Sequence, residues 1–124
     1  MNSTTSGPDF VSFQVRDLEA SAAFYEHTVG MVRLPAPNPD AAVFSAGDAT
    51  FAVRVPLPGV DLDAIPQPGA GIGVWFRNED AAGLHERLST QGVVIVQEPL
   101  EGPFGTQFSF RDPDGYIVTV HSKG

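Results

Sequence analysis

Three histidines are the side chains of this 124-residue chain best suited to acid–base chemistry or to metal binding. His27 and His85 fall in segments with helical spacing, and we expect both to lie on exposed surface. His121 alternates with Ile117 and Thr119, so the three side chains would share one face of a strand. On that face His121 could hydrogen-bond a ligand or transfer a proton near neutral pH. The competing interpretation is a fraying residue near the end of the chain.

Other motifs fail on their spacing. His85-Glu86 begins like a zinc-protease helix, but Ser89 stands where the second histidine belongs. The glycines from Gly69 to Gly73 precede a predicted strand instead of following one, which excludes a nucleotide-binding loop. The chain has no cysteine, so disulfides, thiolate metal sites and cysteine nucleophiles are excluded as well.

The composition predicts one acidic globular domain. Seven Lys and Arg against fifteen Asp and Glu give a net charge of −8, and 42% of the residues are hydrophobic. Such a surface repels nucleic acids and anionic lipids, so the charge favours a cationic small molecule as partner. The polar start, whose first basic residue is Arg16, lacks a signal-peptide pattern, and no apolar run is long enough to span a bilayer. We therefore predict a cytoplasmic protein.

The first half of the chain predicts the element order β-α-β-β-β. Asp17 is positioned to cap a helix from about Leu18 to Thr28, which Gly30 ends. Alternation and turn residues then predict the strands, which include a hairpin across Gly47-Asp48. The predicted strands are residues 10–16, 31–34, 41–46 and 50–55.

The second half repeats this order. Asn78 is the predicted cap of a helix that carries Ala81, Leu84 and Leu88. The predicted strands are residues 72–77, 93–97, 106–111 and 116–121, the last two joined by a type I turn at residues 112–115. Superposing Val11 on Ile72 also brings Phe13 onto Val74. The chain is therefore predicted to be an α+β internal repeat of one βαβββ unit.

Two segments carry a resemblance to a known family. Residues 15–26 (VRDLEASAAFYE), followed by Val29-Gly30-Met31, resemble the opening motif of the vicinal oxygen chelate superfamily, and residues 110–118 (FRDPDGYIV) resemble its closing hairpin. The superfamily includes glyoxalase I, bleomycin-resistance proteins, fosfomycin-resistance enzymes and extradiol dioxygenases. The resemblance implies a single domain over residues 1–124, with modules at 9–57 and 71–123 joined by a linker at 58–70. It further implies a curved mixed sheet around a cavity, with the helices on the outer face.

The residues at the superfamily's usual metal-binding positions are not metal ligands in this sequence. Three of the usual ligand positions fall on Phe10, Gly71 and Thr119, and the fourth falls within residues 52–55, which hold no carboxylate or imidazole. Phenylalanine and glycine offer no donor side chain, and a lone threonine hydroxyl is a poor ligand for zinc, iron or manganese. We therefore predict no metal, no cofactor and no catalytic residues.

Strand alternation predicts a ligand-binding face. Val11, Phe13, Val15, Ile72, Val74 and Phe76 are expected to pack against the helices, and the alternate positions are expected to face the cavity. The predicted ligand-binding residues are Phe10, Ser12, Gln14, Arg16, Trp75, Arg77, Thr119 and His121. Aromatic rings beside a few polar groups are typical of a small-molecule pocket. The alternative for Trp75 is a place in a dimer interface or in the core.

The resemblance lies closest to the metal-free bleomycin-resistance branch. It implies a homodimer that sequesters a planar, cationic aromatic antibiotic without altering it. The acidic charge predicts that the protein has no nucleic-acid or membrane partner. The first alternative is a lyase, isomerase or dioxygenase with an atypical or absent metal site, in which His121 and Gln14 or Arg16 would act. The second alternative is an interaction module whose cavity is filled by its own side chains.

Overall fold

A computed structural model describes residues 3–123 of the chain, and its fold divides into two compact units between Leu62 and Asp63. Each unit contains a four-stranded mixed sheet, with the orders β1-β4-β3-β2 and β5-β8-β7-β6. The strands are β1 Phe10–Gln14, β2 Val32–Leu34, β3 Ala41–Ala46, β4 Ala49–Arg54, β5 Trp75–Arg77, β6 Ile95–Gly102, β7 Gly105–Arg111 and β8 Ile117–His121. The helices are α1 Leu18–Ala23, a π-helix Phe24–Val29, a 3-10 turn Leu62–Ala64 and α2 Ala81–Thr90. The predicted α+β repeat of two βαβββ units is confirmed.

In the first unit, β1 pairs in parallel with β4, and β3 pairs antiparallel with β4 and β2. The helix begins where it was predicted, since the Asp17 side chain accepts a hydrogen bond from Ala20 N at 3.1 Å. The predicted segment from about Leu18 to Thr28 is helical throughout, and after Ala23 its backbone widens from an α-helix to a π-helix. Gly30 ends it in the left-handed conformation at φ 91°, which glycine adopts at low cost.

Aromatic rings fill the core of the first unit on the helix side of the sheet. The Phe51 ring lies 5.0 Å from Phe13 and 4.9 Å from Tyr25 between centroids, both in edge-on geometry. Phe44, also fully buried, completes the group at 6.3 Å from Tyr25. The buried hydroxyl of Ser21 on α1 has no hydrogen-bond partner among the described residues.

The second unit departs from the sequence expectations at its start. β5 begins at Trp75, and Ile72 is 74% exposed, so the prediction that Ile72 packs against a helix is wrong. Asp80, and not Asn78, is the residue that caps α2, because its carboxylate accepts from Gly83 N at 3.0 Å. Asn78 Oδ1 instead accepts from Asp80 N at 2.9 Å, which shapes the turn that leads into the cap.

The second sheet has a longer edge strand than predicted. β6 runs to Gly102 and forms a hairpin with β7, with two register irregularities along the pair. On the helix side, α2 contacts β7, and the buried core there includes Leu84 and Leu88 of α2 and the rings of Phe108 and Phe110 of β7.

The predicted type I turn closes the sheet. Gly115 N donates to Asp112 O at 3.0 Å, and Gly115 has a φ of 97°. Asp112 is buried, and its Oδ1 accepts from the backbone of Asp114 and Tyr116 at 2.9 Å each. These bonds fix the start of β8, and with it the positions of the side chains that β8 presents.

Candidate functional site

The face of the second sheet opposite α2 is here called the open face. Strand pairing places Trp75 beside Thr119 and Arg77 beside His121, and β7 continues the same rows with Ser109 and Gln107. Because side chains alternate along each strand, these residues share the face that α2 does not cover. The open face consists of Trp75, Arg77, Gln97, Leu100, Gln107, Ser109, Arg111, Ile117, Thr119 and His121.

Three rings form an aromatic cluster at one end of the open face. Trp75 lies 5.4 Å from Phe104 and 6.0 Å from His121, and Phe104 lies 5.9 Å from His121, all between ring centroids. Trp75 is 46% exposed and Phe104 is 51% exposed, although both are large apolar residues. Exposed aromatic surface grouped in one place is typical of a binding site, since single apolar residues scatter over ordinary surfaces.

The turn between β6 and β7 carries Phe104, and the end of the chain holds this turn in place. Lys123 N donates to Phe104 O at 3.0 Å and Ser122 N donates to Thr106 O at 3.0 Å. Thr106 N in return donates to Ser122 Oγ at 2.9 Å. His121 therefore belongs to an ordered strand end, and the interpretation of His121 as a fraying residue is wrong.

The imidazole of His121 is positioned mainly by ring contacts. Its backbone carbonyl accepts from Asn78 N at 2.9 Å, which ties β8 to the end of β5. Its Nδ1 atom is buried and has no hydrogen-bond partner within residues 3–123. A buried polar atom without a partner costs free energy, and a ligand that hydrogen-bonds Nδ1 would remove this cost.

Polar pairs cover the rest of the open face. The hydroxyls of Ser109 and Thr119 lie 2.8 Å apart, and Ser109 is buried. Arg111 Nη1 donates to Gln67 Oε1 at 2.8 Å and to the carbonyl of Gly115 at 3.2 Å. These hydrogen bonds hold the polar side chains in place beside the aromatic cluster. An apolar surface next to a few ordered polar groups is typical of a small-molecule site.

Arg77 carries a positive charge at the same end of the face as the rings. Its Nη2 atom lies 3.0 Å from Glu79 Oε1, and the two side chains are 47% and 80% exposed. An ion pair this exposed contributes little stability, about 0–1 kcal/mol, so a ligand could take the place of Glu79 at low cost.

The sheet of the first unit presents four other predicted ligand-binding residues. Phe10 is 55% exposed on β1, and Ser12 is exposed two positions further on the same face. Gln14 has a structural contact, since its Oε1 accepts from Leu57 N at 2.7 Å and anchors the chain after β4. Arg16 is exposed beyond the end of β1. The structure thus brings Trp75, Arg77, Thr119 and His121 together on one sheet, and Phe10, Ser12 and Gln14 together on the other.

The residues at the usual metal positions do not fit a metal ion. Phe10 and Gly71 have no donor atoms in their side chains, and the Thr119 hydroxyl is paired with Ser109. Among residues 3–123, no group of three or more His, Cys, Asp or Glu side chains is placed to hold a metal ion.

The other two histidines lie away from the open face. The side chain of His27 is 73% exposed beside Glu26, as expected. His85 was expected on the surface but is only 19% exposed, because its ring packs on Phe108 at 5.3 Å. Its Nε2 atom lies 3.4 Å from Glu98 Oε2, which gives His85 a structural place between α2 and β6.

The sequence predictions missed Phe104 of the aromatic cluster and Ser109, whose hydroxyl lies beside that of Thr119. Phe104 lies between the predicted strands 93–97 and 106–111, and it joins the cluster because β6 and β7 extend further than the alternation indicated. Glycines at 102 and 105 flank Pro103-Phe104, which is turn chemistry and could have indicated a hairpin with an exposed ring at its tip.

Comparison with known proteins agrees with this geometry. A family model described as the glyoxalase/bleomycin resistance protein/dioxygenase superfamily matches residues 7–120. The chain belongs to this superfamily. The resemblance drawn from the two sequence segments is therefore confirmed.

The superfamily members similar to this chain include binding proteins and enzymes. The metallothiol transferase FosB of Shouchella clausii is 26% identical over 94% of this chain and 80% of its own length. The crystal structure of TnmS3, an antibiotic binding protein from Streptomyces sp. CB03234, has a TM-score of 0.76 at 25% identity and covers 99% of this chain and 100% of its own. A glyoxalase/bleomycin resistance protein from the same organism has a TM-score of 0.71 at 26% identity over 93% and 99% of the two chains.

The helices of this superfamily member are short. Among the described residues, no helix combines the length and the apolar character needed to cross a membrane.

Proposed function

We propose that this protein binds a planar aromatic small molecule of the antibiotic class and sequesters it without a metal ion. The observation that carries the proposal is the exposed cluster of Trp75, Phe104 and His121 on the open face. Stacking on such rings buries flat apolar surface and adds about 0.5–1.5 kcal/mol per ring pair beyond the area term. The likeness to an antibiotic binding protein at 25% identity supports the same class of ligand.

Metal independence is supported by the donor chemistry of the chain. The superfamily's ligand positions hold Phe10, Gly71 and Thr119, and none of these side chains is a good ligand for a divalent ion. The role of the remaining polar groups is then to orient a ligand by hydrogen bonds. Ser109 and Thr119 can exchange their mutual hydrogen bond for one to a ligand at the edge of the cluster.

An enzymatic function is the second candidate, and the similarity to the metallothiol transferase favours it. In that case His121 would supply or accept a proton, because it is the imidazole that lies within the cluster. Turnover of a bound compound distinguishes this candidate from sequestration, in which the compound is released unchanged.

A titration of tryptophan emission tests the proposal. Trp75 is the only tryptophan of the chain, so its fluorescence reports the aromatic cluster alone. We expect at least one compound in a small panel of antibiotics with aromatic ring systems, which includes bleomycin, to quench the emission saturably. Replacement of Phe104 by alanine should weaken the binding about tenfold, since a ring that closes over the ligand is lost.

Val96→Ala is the matched control for Phe104→Ala. Val96 is 45% exposed in the same unit and lies outside the cluster, so its truncation should leave the titration unchanged. The absence of quenching by every compound in the panel, or equal effects of the two variants, would contradict binding at the cluster.

The predicted homodimer and cytoplasmic location belong to the same proposal. A partner that covers strand edges would protect β2 and β6, the edge strands that expose Val32 and Leu100. Light scattering coupled to size-exclusion chromatography tests the dimer, and a molar mass near 13.2 kDa across micromolar concentrations would contradict it.

A further inference from the structure

The charged side chains on the sheet faces that the helices leave uncovered are positive, whereas the net charge of the chain is negative. The whole sequence carries −8, yet the strand positions on the open face of the second sheet hold Arg77 and Arg111. None of the strand positions assigned to this face holds an aspartate or a glutamate. The carboxylates of β6 lie elsewhere, since Glu98 contacts His85 and Glu101 accepts from Thr106 Oγ1 at 2.7 Å.

The first sheet has the same arrangement on the face opposite α1. Its strand positions on that face hold Arg54 and no carboxylate. Arg33 lies on the other face, where it is 3.9 Å from Glu26. In each unit, the acidic residues therefore lie outside the strand face that the helix leaves uncovered.

Arg77 is the cation best placed to meet a ligand on the rings. Its register partner on β8 is His121, and neighbouring strands are about 4.8 Å apart, so the base of its side chain lies beside the aromatic cluster. Its ion-pair partner, Glu79, lies beyond the end of β5 and is 80% exposed. A carboxylate in water at that exposure can be displaced by one that is held against the rings.

We infer that the ligand of the open face is a planar aromatic compound with an anionic oxygen group, such as a carboxylate or an acidic phenol, which Arg77 binds while the ring packs on Trp75 and Phe104. This inference rests on the proposed function and names its ligand class. It replaces the cationic ligand that the net charge predicts, because the charges within a few ångströms of a ligand outweigh charges that water and salt screen. Guanidinium groups form short, charge-assisted hydrogen bonds with such oxygens.

Three naphthalene probes of equal size test the ligand class. They are 2-naphthoate, 2-naphthamide and 2-naphthylmethylammonium, and the readout is the single indole N–H signal of Trp75 in proton–nitrogen correlation spectra. We expect 2-naphthoate to bind about tenfold more tightly than the ammonium probe, with the amide between them. This preference should shrink as potassium chloride is raised.

The variant Arg77→Gln should weaken 2-naphthoate binding about tenfold and leave the ammonium probe unaffected or slightly tighter. Arg87→Gln is the matched control, since it removes the same charge from α2 in the same unit and should change nothing. Equal or tighter binding of the ammonium probe, or equal effects of the two variants, would overturn the inference and leave the proposed function standing. If no probe shifts the Trp75 signal but antibiotics quench the Trp75 emission, the inference about the ligand class is overturned and the proposed function stands. If the antibiotics also fail to quench, both are overturned.

Discussion

Replacement of Gly105 by alanine should weaken both the hairpin that carries Phe104 and ligand binding at the aromatic cluster. Gly105 has a φ of +76°, a conformation that costs an alanine about 1 kcal/mol. A Cβ atom at this position would also overlap Ser122 Oγ, which accepts the hydrogen bond from Thr106 N. Displacing that hydroxyl costs about 1 kcal/mol more, so the expected loss in the free energy of unfolding is about 2 kcal/mol.

Urea unfolding followed by Trp75 fluorescence measures this loss in the second unit. Gly102→Ala is the control, because Gly102 lies at the other end of the same turn and does not have a positive φ, and an added Cβ there would meet no atom within 4 Å. It should change the free energy of unfolding by less than about 0.5 kcal/mol. Equal effects of the two substitutions would show that neither the positive φ of Gly105 nor the overlap with Ser122 destabilises the alanine variant.

A double-mutant cycle separates the two contributions to the Gly105→Ala loss. Ser122→Ala alone removes the hydrogen bond to Thr106 N and should cost about 1 kcal/mol. In the Ser122→Ala background the hydroxyl is already absent, so Gly105→Ala should cost only the conformational contribution of about 1 kcal/mol. Strict additivity of the two substitutions would show that the overlap with Ser122 does not contribute.

Three further predictions test other parts of the structure. Ser21→Ala should leave the melting temperature unchanged or raise it, because the buried hydroxyl has no partner among the described residues, and a clear decrease would contradict this. Asp80→Ala should destabilise by about 1 kcal/mol through loss of the helix cap, whereas Glu79→Ala on the exposed side chain should have almost no effect in the same thermal unfolding assay. Thr119→Val should cost about 1–2 kcal/mol by leaving the buried Ser109 hydroxyl unpaired, and a second change, Ser109→Ala, should recover part of this loss in urea unfolding.

Local signals determine most of the fold, and for that reason it could be predicted from the sequence. Asp17 and Gly30 mark the two ends of the first helical segment by cap chemistry, and the turn after Arg111 has proline and glycine where a type I turn needs them. One error falls where two local signals compete. Asn78 and Asp80 are both good caps, and only the path of the chain after β5 decides that Asp80 accepts from Gly83 N.

The candidate site could be predicted only where it depends on strand alternation. Alternation placed Trp75, Arg77, Thr119 and His121 on one face, and the observed register agrees with this. It could not identify Phe104, whose position depends on how far β6 and β7 continue to pair and on hydrogen bonds from Lys123. The charge of a local surface likewise cannot be deduced from a net charge, because strand register places Arg77 and Arg111 on a sheet face whose strand positions hold no carboxylate.

We propose above that the protein holds an aromatic antibiotic without a metal ion and without changing it. The most direct test is equilibrium dialysis of protein that has been treated with EDTA and verified to be free of divalent metal by mass spectrometry. We expect the compound that quenches Trp75 emission to bind EDTA-treated protein with the same dissociation constant as untreated protein. We also expect it to be recovered with unchanged mass. Binding that requires added zinc or manganese, or recovery of a modified compound, would contradict the account and favour the enzymatic function.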